Sequence, residues 1–317
     1  MEEALGAEAL PRSLSALRVV PAALGDSIGD YASVMVACYR LGISVAASDS
    51  GNCEGSIIIG GGEGDCDVIS IFESLFATYP GLACCREAIF NAYLIMRDTF
   101  ICGKKLLVCG NGGSAADAGH IVGELMKGFY KKRPLPEQSQ RAIKQQFDNY
   151  NEMCLQKFGN NETDPFQYDC NNANYQNSEP QCVPSARNDR LDDPSKLLQR
   201  ALPAIDLTQH QALSTAFAND VSPKYVFAQQ VQGYGVRGDA LLAISTSGNA
   251  ENCCAAALVA KAKNMIVISL TGPGGGSLAH IADCAIKTSG DSTARIQEYH
   301  LPVYHTLCAM LEEKIYK

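Results

Sequence analysis

The sequence has no tryptophan, no Cys-x-x-Cys pair and no apolar run approaching the roughly 20 residues that a bilayer-spanning helix needs. With no tryptophan, binding and assembly have to be followed through tyrosine signal or a label. Positive charge is also scarce. Against 34 Asp and Glu stand only 26 Lys and Arg, a net charge of −8, which argues against a nucleic-acid coat or a polybasic membrane anchor. Met1-Glu2-Glu3 is not followed by a basic and then an apolar stretch, so no secretory signal is expected and the protein is expected in the cytoplasm. In that compartment 14 cysteines are not a disulfide framework. Their adjacent pairs, Cys84-Cys85 and Cys253-Cys254, fit neither a zinc ribbon nor a thioredoxin site, so they are expected reduced and mostly buried. What is present is ordinary globular composition, 46% hydrophobic and 19% charged over 317 residues, enough for one large domain or two medium ones.

The texture changes along the chain. Residues 1–69 are helix-prone at first, then glycine-dotted, and end in Gly60-Gly61-Gly62-Glu63-Gly64. No GxGxxG register fits that run, which reads as a linker. Ile89, Tyr93, Met96 and Phe100 recur at helical spacing up to Gly103. The short apolar run Leu106–Cys109 predicts a buried parallel strand, leading into Gly110-Asn111-Gly112-Gly113-Ser114 and a helix to about Phe129. From Gln138 to Gln181, 16 of 44 residues are Asn or Gln, too little apolar surface to offset the ordering entropy. We read 134–200 as a partly disordered insertion with one helix around Ser139–Phe158. Asn161-Glu162-Thr163 matches a glycosylation acceptor by chance.

Strands are predicted again at Ala204–Leu207, Leu241–Ile244, Met265–Leu270 and Cys284–Ile286, with helices at Gln211–Asn219, after Asn249 to about Lys263, and from Thr293 to the end. Alternation of this kind predicts a doubly wound α/β fold, a parallel five-stranded sheet covered on both faces. Ligands bind such sheets beyond the carboxyl ends of the strands. Two loops there carry suitable chemistry. Gly110–Ser114 allows close backbone approach. Ser245-Thr246-Ser247-Gly248-Asn249 sets hydroxyls and N–H groups at a helix N-terminus, where a phosphate is favoured. No P-loop lysine accompanies it, so NTP hydrolysis is not expected. Helix capping is the plainer reading of either loop alone; two such loops in one sheet point to a phosphorylated ligand.

His120 and Glu124 lie four apart on the helix after the glycine loop and so share a face. Gln297 and His305, eight apart, fall within about a quadrant on the last helix. This set supplies a general base, an acid and an amide orienter, or equally two imidazoles, a carboxylate and an amide oxygen for a divalent metal. His300 is a weaker rival, and His210 and His280 read as surface or cap residues.

Leu107–Asp117 with His120 and Glu124, Asn219-Asp220, Ile244–Asn249, Leu270-Thr271-Gly272 and Arg295-Ile296-Gln297-Glu298 together resemble the sugar-isomerase (SIS) domain of phosphoheptose isomerases, across about 70–133 and 201–317. The resemblance implies a flavodoxin-like SIS domain over 70–317, interrupted at 134–200 and preceded by an extension at 1–69. It implies an aldose–ketose isomerase converting D-sedoheptulose 7-phosphate to D-glycero-D-manno-heptose 7-phosphate through a cis-enediol. It also implies a homotetramer with sites between subunits, often carrying zinc. Asn111, Gly112, Gly113, Ser114, Asn219 and Asp220 would line the sugar, with His120, Glu124 and Gln297 beside them, and Ser245, Thr246 and Ser247 would hold the phosphate. Glu124 and His305 would exchange the protons. His120, Glu124, Gln297 and His305 would bind the zinc.

Departures from the pattern are Ala250 where a serine is frequent, Ala294 where an aspartate is frequent, and Lys127-Gly128 where an arginine is expected. They bear on the identity of the sugar more than on the reaction type. A non-catalytic SIS module that senses a sugar phosphate or docks a protein, as DnaA-binding relatives do, is the alternative, and a purely structural tetramer is a third. Retention of the whole proton-transfer set favours the enzyme. Leu24-Gly25-Asp26-Ser27 resembles the nucleophile block of SGNH hydrolases, but its Asp-x-x-His partner exists only as Asp117 and His120, which belong to the glycine-loop helix.

Overall fold

The structure, a computed structural model, describes residues 18–19, 45–47, 57–59, 66–158 and 192–316. The Leu24–Ser27 and Gly60–Gly64 readings, Asn161–Thr163 and most of the Asn/Gln-rich stretch lie outside these residues. Two compact units are present, Met1–Lys132 together with Ala201–Lys317, and Arg133–Arg200. In the first unit, short strands β1 (Arg18–Val19), β2 (Val45–Ala47) and β3 (Ile57–Ile59) pair antiparallel in the order β1-β3-β2.

The main sheet is parallel and five-stranded: β4 (Leu106–Cys109), β5 (Ala204–Asp206), β6 (Ala240–Ser245), β7 (Ile266–Thr271) and β8 (Cys284–Lys287), in the order β5-β4-β6-β7-β8. Leu106 faces Ala204 on one side and Ala240 on the other, and Leu242 faces Ile268. Although the strands read as continuous apolar runs, their residues divide by the two-residue strand period. Leu106, Val108, Leu242, Ile244, Ile268 and Leu270 pack under α1 (Cys66–Thr78), α2 (Arg86–Ile101), α3 (Gly113–Met126) and α10 (Thr293–Ile315). Leu107, Cys109, Leu241, Ala243 and Val267 pack under α7 (Val226–Tyr234), α8 (Glu251–Ala262) and α9 (Gly276–Ile281). Each large aliphatic side chain fully withdrawn from water here contributes about 1.5–3 kcal/mol. Both faces are therefore covered, as a parallel sheet requires.

In α2, Ile89, Tyr93, Met96 and Phe100 are buried as their spacing predicts, and Gly103 at φ +67° ends the helix. α3 stops at Met126, short of the expected Phe129, for a tertiary reason. The Glu312 carboxylate on α10 accepts hydrogen bonds from the N–H groups of Phe129 (2.9 Å), Tyr130 (2.6 Å) and Lys131 (3.0 Å), pulling that segment out of helical geometry. α7 has no counterpart in the sequence reading. Its buried Phe227 and Val231 are surrounded by Gln229, Gln230 and Gln232, and the stripe is too thin to register. Among the cysteines whose side chains are described, Cys85, Cys109, Cys253, Cys284 and Cys308 are buried, and these five together with Cys84, Cys102 and Cys254 are free thiols.

In the second unit, α4 (Glu137–Phe158) carries the i,i+4 ion pairs Glu137–Arg141 and Lys144–Asp148, and α5 (Pro194–Leu197) is capped by Asp193, which accepts from Ser195 N at 3.0 Å. Pro134 and Gln199 form an isolated antiparallel bridge.

Candidate active site

With order β5-β4-β6-β7-β8 the order in which strands are added reverses between β4 and β6, the place where such folds bind ligands. The loops leaving β4 and β6 are the glycine loop and the hydroxyl loop, so the fold brings together the two loops the sequence singled out.

After β6 the chain turns tightly. Gly248 donates its N–H to Ser245 O (3.0 Å) and to Ser245 Oγ (3.1 Å) at φ +68°, and any Cβ there would collide with the Gly275 carbonyl. Asn249 ties the loop to the start of α9, its Oδ1 accepting from Ser277 N at 2.9 Å and Ser277 Oγ at 3.2 Å. α8 then begins after Ala250 with no side-chain cap. Capping of that helix is therefore not what the hydroxyls do. Ser245 closes the turn, Ser247 Oγ accepts from Asn249 N at 3.2 Å, and the Thr246 hydroxyl has no partner among the described residues. The open N-terminus of α8 offers N–H groups and the positive end of a helix dipole to an anion. Glu251 in its first turn is neutralised by Lys224 at 2.9 Å.

In the glycine loop, Asn111 and Asn252 exchange amide hydrogen bonds, both 2.9 Å, so the loop is tied to the first turn of α8. Gly113 lies directly against the Gln297 amide, leaving no space for a Cβ. Gly112 is exposed on the rim, whereas Ser114 is buried under the loop. Asn219 and Asp220 end α6 (Gln211–Asp220), both exposed, with Asn219 Nδ2 donating to Asp220 Oδ1 at 2.8 Å.

Along α3 and α10 the acid–base candidates converge. His120 Nε2 is 3.3 Å from Glu124 Oε1 and 3.4 Å from His305 Nε2. The two imidazoles meet edge to face with centroids 4.9 Å apart, and Phe129 packs on His305 at 5.4 Å. Burial holds the His305 imidazole below the usual histidine range, reinforced by neighbouring His120 and opposed by Glu124. Lys127 sets its ammonium 3.8 Å from Glu124 Oε2, close to where the resemblance expects an arginine. His300, by contrast, is fully buried on the sheet side of α10 and takes no part. His280 is exposed, and His210 N-caps α6 without a side-chain bond.

Two further residues complete the cluster. The Tyr304 hydroxyl is 3.2 Å from Asp117 Oδ1 and 3.1 Å from His120 Nδ1. Sequence reasoning left them out, although Asp117 precedes His120 by three residues on one helix face. Burial raises the Asp117 carboxyl, with the Tyr304 hydrogen bond and His120 opposing, and burial followed by Asp117 raises the Tyr304 phenol.

The zinc that the resemblance implies can be tested against this geometry. Two imidazoles and a carboxylate are the right donor types, and tetrahedral ligands about 2.0–2.1 Å from an ion stand about 3.3–3.4 Å from one another. The two measured edges, 3.4 and 3.3 Å, match. Yet among the described residues no three His, Cys, Asp or Glu side chains form a group able to hold a metal ion as they stand. Gln297 sits over Gly113, about 12 Å of helix rise from His305. His120, Glu124 and His305 fit the ion pair by pair, and Gln297, the fourth ligand that the resemblance implies, stands against Gly113.

The SIS domain family model matches residues 196–272. The phosphoheptose isomerase of Aneurinibacillus thermoaerophilus is 31% identical over 249 residues, covering 78% of this chain and 90% of that protein. Phosphoheptose isomerase 2 of Campylobacter jejuni is 31% identical over 228 residues, covering 72% and 81%. A solved phosphoheptose isomerase from Francisella tularensis is similar in structure, with a TM-score of 0.52 and 27% identity over 78% of this chain and 97% of that one. On sequence and fold, the chain belongs to the phosphoheptose isomerase family.

Proposed function

We propose that this chain is a cytoplasmic aldose–ketose isomerase interconverting D-sedoheptulose 7-phosphate and D-glycero-D-manno-heptose 7-phosphate. The observation that carries the reading is the meeting of Glu124 and His305 around His120, with Oε1 and Nε2 3.3 and 3.4 Å from His120 Nε2, where α10 packs on the helix that leaves the glycine loop. A sensing or docking module has no use for such a set.

The phosphate is held by Ser245, Thr246 and Ser247 and by the α8 N-terminus, and the sugar lies against Asn111, Gly112 and Gly113, with Gln297 over the loop. Glu124, whose side chain is only 14% exposed, takes a proton from C1 of the ketose, and the same carboxyl returns it to C2. His305 gives a proton to O2 as the cis-enediol forms and takes one from O1 as it collapses, so atoms and charge balance over the cycle. His120, Glu124 and His305, with Gln297 as the fourth ligand that the resemblance implies, would hold a zinc ion, which would polarise the carbonyl. Ser114, buried here, acts through the shape of the loop. Asn219 and Asp220 approach the sugar from the exposed end of α6.

The proposal includes a homotetramer with sites between subunits. In its support, none of the ten residues of α6 is buried, although Leu213 and Phe217 lie a turn apart on it, and Val221 and Tyr225 just beyond are 64% and 53% exposed. Sedimentation velocity tests this: a species of four chains is expected, and a monomer at micromolar concentration contradicts it. Glu124→Gln tests the catalytic reading. It is expected to lower kcat by about 10²–10⁴-fold while sugar-phosphate binding persists. Unchanged turnover excludes Glu124 as the base.

A further inference from the structure

Tyr304 is 1% exposed, yet its hydroxyl lies between two polar groups, Asp117 Oδ1 at 3.2 Å and His120 Nδ1 at 3.1 Å. A phenol has one proton to donate and lone pairs to accept with. If Tyr304 donated to His120 Nδ1, its lone pairs would face an ionised carboxylate 3.2 Å away, and Asp117 Oδ2, itself buried and without a hydrogen-bond partner among the described residues, would offer no relief. If Tyr304 donates to Asp117, its oxygen is free to accept from His120 Nδ1–H, and both Tyr304 contacts pair a donor with an acceptor. The Nε2 lone pair then also faces Glu124 Oε1 at 3.3 Å, but the His120 side chain is 43% exposed and water can serve it there, as it cannot serve Tyr304. The opposite ring nitrogen, Nε2, then carries the lone pair, and this is the atom that faces His305 Nε2 at 3.4 Å.

We propose that Tyr304 and Asp117 are positioning residues that fix His120 as the Nδ1–H tautomer, so that its Nε2 lone pair is aimed at His305 and Glu124. The inference rests on the isomerase reading of the same site for its purpose, but not for its geometry. An imidazole free to exchange tautomers would spend part of its time with an N–H aimed at His305, unable to accept its proton or to ligate a cation. Tyr304 does for His120 what a carboxylate does for many ligating histidines, with Asp117 one step behind. The relay runs from Asp117 on α3 across to α10 and back, so it also locks the mutual rotation of the two helices that carry the acid–base set.

Histidine tautomers are read directly by long-range ¹H–¹⁵N correlation. The chain has only five histidines, and the His120 signals are assigned with His120→Gln. The spectrum of ¹⁵N-histidine-labelled protein, as purified and again after EDTA, is expected to show His120 protonated at Nδ1 and bare at Nε2 at neutral pH. Tyr304→Phe should mix the two tautomers. Asp117→Asn, whose amide can donate to Tyr304, should favour the reverse one. Both variants should lower kcat by about 10–100-fold with KM little changed. A wild-type His120 protonated at Nε2 overturns the proposal without any variant, and so does an unchanged tautomer and kcat in Tyr304→Phe. If the tautomers behave as stated while the wild type shows no isomerase turnover, the positioning role stands and the functional reading fails.

Discussion

His120 and His305 face each other nitrogen to nitrogen, their Nε2 atoms 3.4 Å apart, although they come from helices 185 residues apart in sequence. At that distance one ring must hold a proton and the other a lone pair, or both must offer lone pairs to a cation. His305→Gln keeps a hydrogen-bonding side chain but ends proton exchange at this position. It is expected to lower kcat by about 10²–10⁴-fold and leave phosphate binding in place. Turnover within a factor of about two of wild type would remove His305 from the chemistry.

The hydroxyl loop depends on Gly248, which sits at φ +68° against the Gly275 carbonyl. Gly248→Ala forces a left-handed conformation costing about 1–2 kcal/mol and a shift of one backbone away from the other. The loop that holds the phosphate is displaced, so KM should rise about tenfold or more, with kcat at saturation less affected. An unchanged KM would show that the phosphate is bound elsewhere.

Glu312 links stability to the site. Its carboxylate accepts from Phe129, Tyr130 and Lys131 N–H, and Phe129 in turn packs on His305. Removing a buried charged acceptor of this kind costs about 3 kcal/mol. Glu312→Ala should show that loss in urea unfolding together with a reduced kcat. Reduced stability with full activity would mean that the Phe129 contact does not orient His305.

His300 gives the fold an acid-sensitive point. Burial lowers its pKa to about 4 from 6.5, the nearby Thr271 carbonyl offsetting only part of that. Between pH 6.5 and about 4 the unfolded chain binds a proton that the folded chain refuses, so stability is full above the window and declines as pH falls through it. The difference amounts to about 3 kcal/mol. Urea unfolding at pH 7.5 and pH 4.5 should show wild type losing about that much more stability than His300→Leu. Parallel losses would place the acid sensitivity elsewhere.

The strands of the main sheet and both ligand loops were legible in the sequence because they rest on local signals. Four-residue apolar runs bounded by glycine gave β4, and a hydroxyl cluster after a β-former run gave the loop after β6. His120 and Glu124 were legible for the same reason, as i,i+4 neighbours on one helix. Tertiary effects were not. The early end of α3 is caused by Glu312, 186 residues beyond Met126. Eight-residue spacing on α10 suggested that Gln297 and His305 face one pocket; the spacing could not show that Gln297 meets Gly113 of the glycine loop while His305 meets His120, about two turns further along. Tyr304 reads as a core aromatic in sequence, and only the packing of α10 on α3 shows its hydroxyl between Asp117 and His120.

Proton exchange between adjacent sugar carbons is the chemistry proposed for this site. It is tested most directly by incubating the protein with sedoheptulose 7-phosphate in D2O and following the sugar by NMR, with added zinc and with chelator. Deuterium entering at C1 and C2, together with a new aldoheptose 7-phosphate, is the predicted result, and the chelator arm shows what a bound metal contributes. No deuterium in either arm, from protein shown to be folded, would contradict the account.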